Sequence, residues 1–177
     1  MEYQLMEYLL DGDLMTVTIN GNGTITPTSA IQPAGSILQV LSNVKDDTSS
    51  TASTSFVDIG LSQAITPAST SSKIFIIANV ALNDHHAVLS LNLMRDSTNI
   101  CQPATDPGQN MSAVAYVSDE TYMLHTPLTF LDSPNTTNEV TYKIQWKVNE
   151  GTGYLNRYSD ADNWYRPSQL TLMEVAG

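Results

Sequence analysis

Every second residue from Val140 to Val148 is apolar: Val140, Tyr142, Ile144, Trp146 and Val148, with Thr141, Lys143, Gln145 and Lys147 between them. Side chains alternate across a strand with a period of two, so this segment predicts a β-strand with one buried and one wet face. Leu89, Leu91 and Leu93 repeat the pattern against Ser90, Asn92 and Met94. A one-residue slip would expose the whole apolar set, so register is strongly specified. Ser36 to Val44 and Ile74-Phe75-Ile76-Ile77 are apolar on both sides. Such segments predict burial within a sandwich, as a central strand, or burial against a sister subunit.

Further strands are predicted at Phe56 to Ile59, Leu61 to Ile65, Lys73 to Leu82, Ala87 to Met94, Ser112 to Val117, Tyr122 to Leu131, Glu139 to Val148 and Gln169 to Val175. Clusters of Pro, Gly, Ser, Asn and Asp separate them, and this punctuation predicts an all-β protein. The expected fold is an antiparallel β-sandwich, jelly-roll-like, with a short N-terminal arm. Gly21-Asn22-Gly23 has the chemistry of a hairpin turn, Pro27 to Gly35 reads as an extended connector, and Asp46 to Ser55 reads as an exposed loop. The boundary is expected between an attachment arm and connector over 1–44 and a sandwich knob over 45–177. In Met1 to Leu10 the apolar residues suit either a short amphipathic helix or an extended peg, with Tyr3, Leu5, Met6, Tyr8, Leu9 and Leu10 as docking side chains. A plain packed arm is the simpler alternative.

Composition narrows the function classes. Charged residues make up 14% of the 177 positions, against about 25% in ordinary domains, and Ser, Thr and Asn take their place. The net charge is -11, which leaves no basic stripe to neutralise phosphates, so nucleic acid is not an expected partner. Anionic membrane surface is disfavoured for the same reason, and no stretch reaches the roughly 20 apolar residues of a membrane span. The N-terminal ten residues carry Glu2 and Glu7 and no Lys or Arg, which is a poor signal peptide. Cys101 is the sole cysteine and excludes both an intrachain disulfide framework and a cysteine zinc cluster.

Little in the chain reads as catalytic. There is no Gly-x-Ser-x-Gly, and Gly21-Asn22-Gly23 lacks the Lys and the helix of a phosphate-binding loop. Asp84-His85-His86 and His125 are the only histidine positions, and adjacent residues do not converge on one metal; three copies of one His around a symmetry axis remain an open arrangement. No enzyme activity, cofactor or metal is expected. The segment from Tyr154 to Pro167 gathers Tyr154, Arg157, Tyr158, Asp160, Asp162, Trp164 and Tyr165. Rings that stack on a sugar, with Asp and Arg for its hydroxyls, are the groups of a glycan or receptor contact. The plainer reading, favoured on residue type, has Trp164 and Tyr165 stapling a long loop to the sandwich. Asp160 and Asp162 stand too close in sequence to face each other across a glycosidic bond.

Several separated blocks resemble a known family. They are Ile65-Thr-Pro-Ala-Ser-Thr-Ser-Ser72 leading into Lys73-Ile-Phe-Ile, Leu93-Met-Arg95-Asp-Ser-Thr98, Phe130-Leu-Asp-Ser-Pro134, Thr141-Tyr142-Lys143, Tyr154-Leu-Asn156-Arg157 and Leu170-Thr-Leu-Met-Glu174-Val175. In order and spacing over roughly Gly35 to Val175 they resemble the β-rich C-terminal domain of tailed-bacteriophage virion proteins, among them tail fibres, head fibres and capsid decoration proteins. Met15-Thr-Val-Thr-Ile-Asn-Gly-Asn-Gly-Thr-Ile-Thr26 looks like the connector that leads into such domains.

The resemblance implies a virion-surface protein, a homotrimer with a jelly-roll knob on a short attachment segment and no catalytic residues. Long fibres carry long shafts, and this chain begins only shortly before the connector. The expectation is therefore a short head fibre or capsid decoration-like protein whose partners are other virion proteins. A tail-fibre knob recognising a host surface glycan is the alternative.

Overall fold

The computed structural model describes residues 33–84, 88–103, 111–116, 123–158 and 164–177, together with four short strands nearer the N-terminus. The chain divides into two compact units, Met1–Pro33 and Ala34–Gly177. In the first, β1 (Tyr8–Leu10) pairs antiparallel with β2 (Asp13–Met15), and β3 (Val17–Ile19) pairs antiparallel with β4 (Ile25–Pro27). The second pairing flanks Gly21-Asn22-Gly23 as a hairpin requires, although the turn residues lie outside the described set. Tyr8, Leu9 and Leu10 are extended; Tyr3, Leu5 and Met6 lie outside the described residues.

The second unit is built from β5 (Ile37–Lys45), β6 (Ser49–Thr51), β7 (Val57–Ile65), β8 (Lys73–Asp84), β9 (Val88–Arg95), β10 (Thr98–Asn99), β11 (Ala113–Tyr116), β12 (Leu124–Asp132), β13 (Val140–Val148), β14 (Gly153–Leu155) and β15 (Ser168–Val175). The boundary expected at 44/45 thus falls inside β5. Residues 34–44 belong to the second unit, because Leu41 packs against the core and β5 pairs with β15 along its length.

Register fixes the topology. The same residues of β8 pair with β12 on one side and β15 on the other: Phe75 meets Leu131 and Met173, and Ile77 meets Thr129 and Thr171. Likewise Leu91 of β9 meets Trp146 of β13 on one side and Ala113 of β11 on the other. The two antiparallel sheets therefore run β5-β15-β8-β12 and β7-β13-β9-β11. Counting these eight main strands in chain order gives 1-8-3-6 facing 2-7-4-5, the order of a jelly-roll sandwich. The all-β sandwich expected from the alternation is the observed fold.

The interior follows from the same period. Along β13 burial alternates without a break, and Ile144 and Trp146 lie opposite Leu93 and Leu91. Ile74, Ile76, Ala78, Val80 and Leu82 of β8 face them from the other sheet, all fully buried. Each such Leu or Ile contributes about 1.5–3 kcal/mol by leaving water. The two-sided strand Ile74 to Ile77 is central, the first of its two expected settings; Ser36 to Val44 is an edge strand instead. Ser90, Asn92 and Met94 differ from expectation, being buried on the outer face of β9. Each lies beside a long side chain of β13: Ser90 is opposite Lys147, Asn92 opposite Gln145 and Met94 opposite Lys143, with Val114 of β11 flanking Ser90 and Asn99 of β10 flanking Met94 on the other side.

The two strands expected at Phe56 to Ile59 and Leu61 to Ile65 are one, β7, with a bulge between them at Gly60. Lys143 lies opposite Ser62 and Gln145 opposite Asp58, so Ile144 faces three residues of β7. Gly60 takes φ 81, and both Ile59 and Leu61 then point inward. A left-handed φ of that kind costs glycine little and other residues more.

Two carboxylates are buried in this interior. Asp132 on β12 accepts from the Arg95 guanidinium at 2.6 Å and from the Tyr142 hydroxyl at 2.7 Å, and so ties the two sheets together. Burial, and then the Asp132 carboxylate, push the Tyr142 phenol far above its ordinary range. Burial disfavours the charged Arg95, but Asp132 overcomes this and raises its pKa. Glu174, with no exposed surface, accepts from Gln39 Nε2 at 2.6 Å and from the Ala68 amide at 2.7 Å. Burial alone would raise its pKa. Donors in Ser72, Gln39 and the Ala68 amide outweigh burial and lower it, although the Ser72 hydroxyl falls outside ideal hydrogen-bond geometry.

Asp132→Ala leaves the Arg95 charge without its partner, and urea denaturation should show a loss of about 3 kcal/mol. Tyr142→Phe should cost about 1 kcal/mol by the same measurement. Because the folded-state pKa of Glu174 lies below its unfolded value of 4.5, its contribution is present above that pH and is lost as pH falls through the depressed value. Thermal melts from pH 7 to 3 should therefore show a steeper acid-side loss in the wild type than in Glu174→Gln.

Candidate functional site

The last strand of the β5-containing sheet is interrupted. Leu155 of β14 pairs with Leu82 and Gln169 of β15 pairs with Asn79, so both pieces lie along one edge of β8. Between them the chain leaves the sheet at Asn156 and returns at Ser168. Opposite this gap the neighbouring strand is broken as well, β5 ending at Lys45 and β6 resuming at Ser49.

Side chains repair both breaks. The Ser168 hydroxyl accepts from the Ala81 amide at 2.9 Å and donates to Asn156 Oδ1 at 2.6 Å. Asn156 Nδ2 donates to the carbonyls of Lys45 at 2.7 Å and Asp47 at 2.9 Å, while its own amide donates to the Ala81 carbonyl. Both residues are completely buried. Buried backbone groups left by an interrupted ladder must find partners, and these two side chains provide them. Asn156 also takes φ 60, a conformation that Asn tolerates better than most residues. Gly153 is confined too, since a Cβ there would run into the side chains of Leu89 and Val148.

The neck holds out an aromatic loop. The Arg157 guanidinium lies 4.6 Å from the centre of the Tyr154 ring, and Tyr158 meets Trp164 edge-on at 6.3 Å. An isolated antiparallel bridge joins Arg157 to Tyr165. Trp164 is 64% exposed and Tyr165 62%, so the stapling expected of them is done by Asn156 and Ser168 instead. The structure brings together Tyr154, Arg157, Tyr158, Trp164 and Tyr165; Asp160 and Asp162 lie outside the described residues. An exposed Trp beside Tyr and a guanidinium offers flat apolar faces and fork-shaped donors, which suits a polar ligand with planar or ring-shaped apolar faces.

His125 is exposed on β12, and His85 and His86 lie outside the described residues. Among the described residues no three His, Cys, Asp or Glu side chains are placed to hold a metal. Cys101 is half-buried, and burial raises its thiol pKa. A hollow of about 390 Å³ lies elsewhere, and its described lining, which includes Thr54, Met111 and Lys147, has no carboxylate.

Asn156→Ala should destabilise the protein by roughly 2 kcal/mol, since it orphans the Lys45 and Asp47 carbonyls. Hydrogen exchange should then speed up in residues 154–158 and 164–168. Asn156→Gly accommodates the backbone angle but loses the same bonds, so it should show the same acceleration.

No protein-family model and no curated protein matches the chain. Solved structures do. A structure of infectious bursal disease virus, Gx strain, is similar at 11% identity and a TM-score of 0.45, covering 96% of this chain and 48% of that one. The VP2 subviral particle of the same virus is similar at 11% identity and a TM-score of 0.41, covering 99% and 45%. T=1 particles derived from infectious bursal virus give 11% identity and a TM-score of 0.42, covering 95% and 47%. This chain spans about half the length of the chains it is similar to, and the likenesses assign no role to its individual side chains.

Proposed function

We propose that this protein is a non-enzymatic bacteriophage virion structural protein, displayed on the particle surface as a short head fibre or decoration protein. Its aromatic loop contacts host surface glycan. One observation carries the reading: the chain enters the sandwich at one end and extrudes the loop towards the other. Gly35 and Ser36 bond Ala176 beside the start of β8, where Val175 pairs with Lys73. The loop leaves beside Leu82, nine residues along the same strand, roughly 30 Å away at the rise of a β-strand. Whatever precedes Ala34 can attach the domain while Trp164 and Tyr165 remain free. The blocks that resemble phage virion domains fit this polarity, because in those proteins a short N-terminal segment attaches and the knob projects. A rigid neck also limits the ordering cost of binding, which favours recognition by exposed rings.

Binding to an array of bacterial surface glycans should be retained by the wild type and lost in Trp164→Ala, with melting temperature unchanged. Equal binding by the variant would remove the loop from the reading. Cryo-electron microscopy of intact particles should place the protein on the head, and density at the tail instead would favour the receptor-binding knob of a tail fibre.

A further inference from the structure

Acidic residues outnumber basic ones by 18 to 7 in this chain, so a cation within reach of a carboxylate is the ordinary case. Lys45, Arg95 and Lys143 each hold one, at 2.7, 2.6 and 2.8 Å. Lys147 is different. Among the described residues no carboxylate pairs with its ammonium, which lies 4.9 Å from the centre of the Phe56 ring. A ring face covers one side of an ammonium and leaves N–H donors for other partners. Lys147 borders the hollow of about 390 Å³ on the outer face of the β7-β13-β9-β11 sheet.

Register assembles the lining. Lys147 of β13 lies opposite Ser90 of β9, and Ser90 opposite Val114 of β11. The next row on the same face runs from Asn149 through Val88 to Tyr116. The Val148 amide donates to the Ser53 carbonyl, which brings Thr54 to the hollow's edge. The polar groups gathered here have capacity to spare. Ser90 is 4% exposed, yet among the described residues its hydroxyl has no hydrogen-bond partner. Buried hydroxyls are nearly always bonded, so one left over against a hollow marks where a ligand's polar atom can sit. Asn149 accepts from the Val88 amide through Oδ1 at 2.6 Å, which leaves Nδ2 to donate. Thr54 adds an exposed hydroxyl.

We propose that this hollow binds a sugar that carries a carboxylate, of the hexuronic acid class. Lys147 takes the carboxylate, Ser90, Thr54 and Asn149 meet the ring hydroxyls, and Val88 and Met111, with Tyr116 beside Val88, face the apolar side of the ring. Charge selects the carboxylate, because the described lining offers an ammonium and an amide and has no acid of its own. Size argues against a bare anion. The volume lies within the roughly 300–1,000 Å³ of small-molecule pockets, and an acetate or phosphate on Lys147 would leave most of it unfilled. Hydroxyls, which both donate and accept, match the hydroxyls of a sugar. An acidic peptide side chain would engage Lys147 but leave Ser90 and Thr54 without partners. Tyr116 is 56% exposed and supplies the flat surface on which a sugar ring rests.

The net charge of -11 limits the ligand further. A polyanion would run from the hollow onto the acidic remainder of the molecule and be repelled. A single acid, at a chain end or among neutral sugars, feels little of that charge, since salt screens it beyond about 8 Å. The site lies on the sheet opposite the one that carries the aromatic loop. It goes beyond the function proposed above and stands whether or not the protein belongs to a virion, and the two are separated by which residues respond to ligand.

Nuclear magnetic resonance titration of the isotope-labelled full chain with sodium glucuronate, into the millimolar range, tests it. Amide shifts should cluster at Thr54, Val88 to Ser90, Met111 and Lys147 to Asn149. Glucose, sodium acetate and inorganic phosphate should each bind at least about tenfold more weakly. Lys147→Gln should lower glucuronate affinity at least about tenfold, with melting temperature retained because the side chain is only half-buried. Asn149→Asp keeps an acceptor for the Val88 amide and sets a carboxylate beside the ligand's own. It is exposed, should weaken glucuronate in the same direction, and serves if Lys147→Gln fails to fold. Absence of shifts at these residues, or shifts confined to 154–158 and 164–168, overturns the proposal. So does glucose binding as well as glucuronate. Acetate or phosphate matching glucuronate would make the hollow a bare anion site, and tighter binding of a glutamyl dipeptide would assign it to a protein partner; either result overturns the sugar acid.

Discussion

The sandwich depends on pairing one long strand on both edges. Lys73–Asp84 is central and buried on its inner face, so its amides and carbonyls need partners along both sides. One edge is served by a single continuous strand, Leu124–Asp132. The other is served by two pieces, Gly153–Leu155 and Ser168–Val175, with the excursion between them. Where the second edge breaks, the Asn156 amide and the Ser168 hydroxyl take over at Ala81. A loop can therefore leave the sheet without leaving buried groups unpaired. The aromatic loop and the integrity of the sheet are consequences of the same two residues.

The buried charges obey a related constraint. Asp132 and Glu174 are each surrounded by donors, and each ties together parts of the chain that are distant in sequence. Desolvating a carboxylate is costly, and two or more short hydrogen bonds offset that cost only when the geometry is held by packing. In return the pairs have a single satisfactory arrangement. Asp132 sets the two sheets against each other at Arg95 and Tyr142. Glu174 holds the turn at Ala68 against the start of Ile37–Lys45, where the chain enters the domain.

The proposed attachment and recognition roles make separate demands on the fold. The interior of Ala34–Gly177 is filled mainly by apolar side chains, while the exposed rings of Trp164 and Tyr165 sit beyond the buried pair Asn156 and Ser168. A jelly roll can meet such demands together, because its interior, its loops and its outer faces are separate sets of residues.

The alternation of apolar and polar positions determined the class of fold, most of the main strands, and the inward set of Val140–Val148 and of Leu89, Leu91 and Leu93. It divided Val57–Ile65 into two strands ending at Ile59 and beginning at Leu61, where the structure keeps one strand with a bulge at Gly60. Three inward-facing ionic residues, two buried and one half-buried, continue the same arithmetic. Arg95 continues the inward series Leu89, Leu91, Leu93; Asp132 continues Leu128, Phe130; and Glu174 continues Leu170, Leu172. A charge on an inward parity announces a buried partner, but which partner depends on strands far away in the chain. Asn156 and Ser168 gave no such signal, because an Asn and a Ser in a loop-like segment are ordinary until a break in a neighbouring strand leaves carbonyls for them to bond. The same holds for the outer face of that sheet: Val40, Phe75, Leu131 and Met173 become one row only when four strands align in register. Local periodicity decides which way a side chain points; only tertiary pairing decides what it meets.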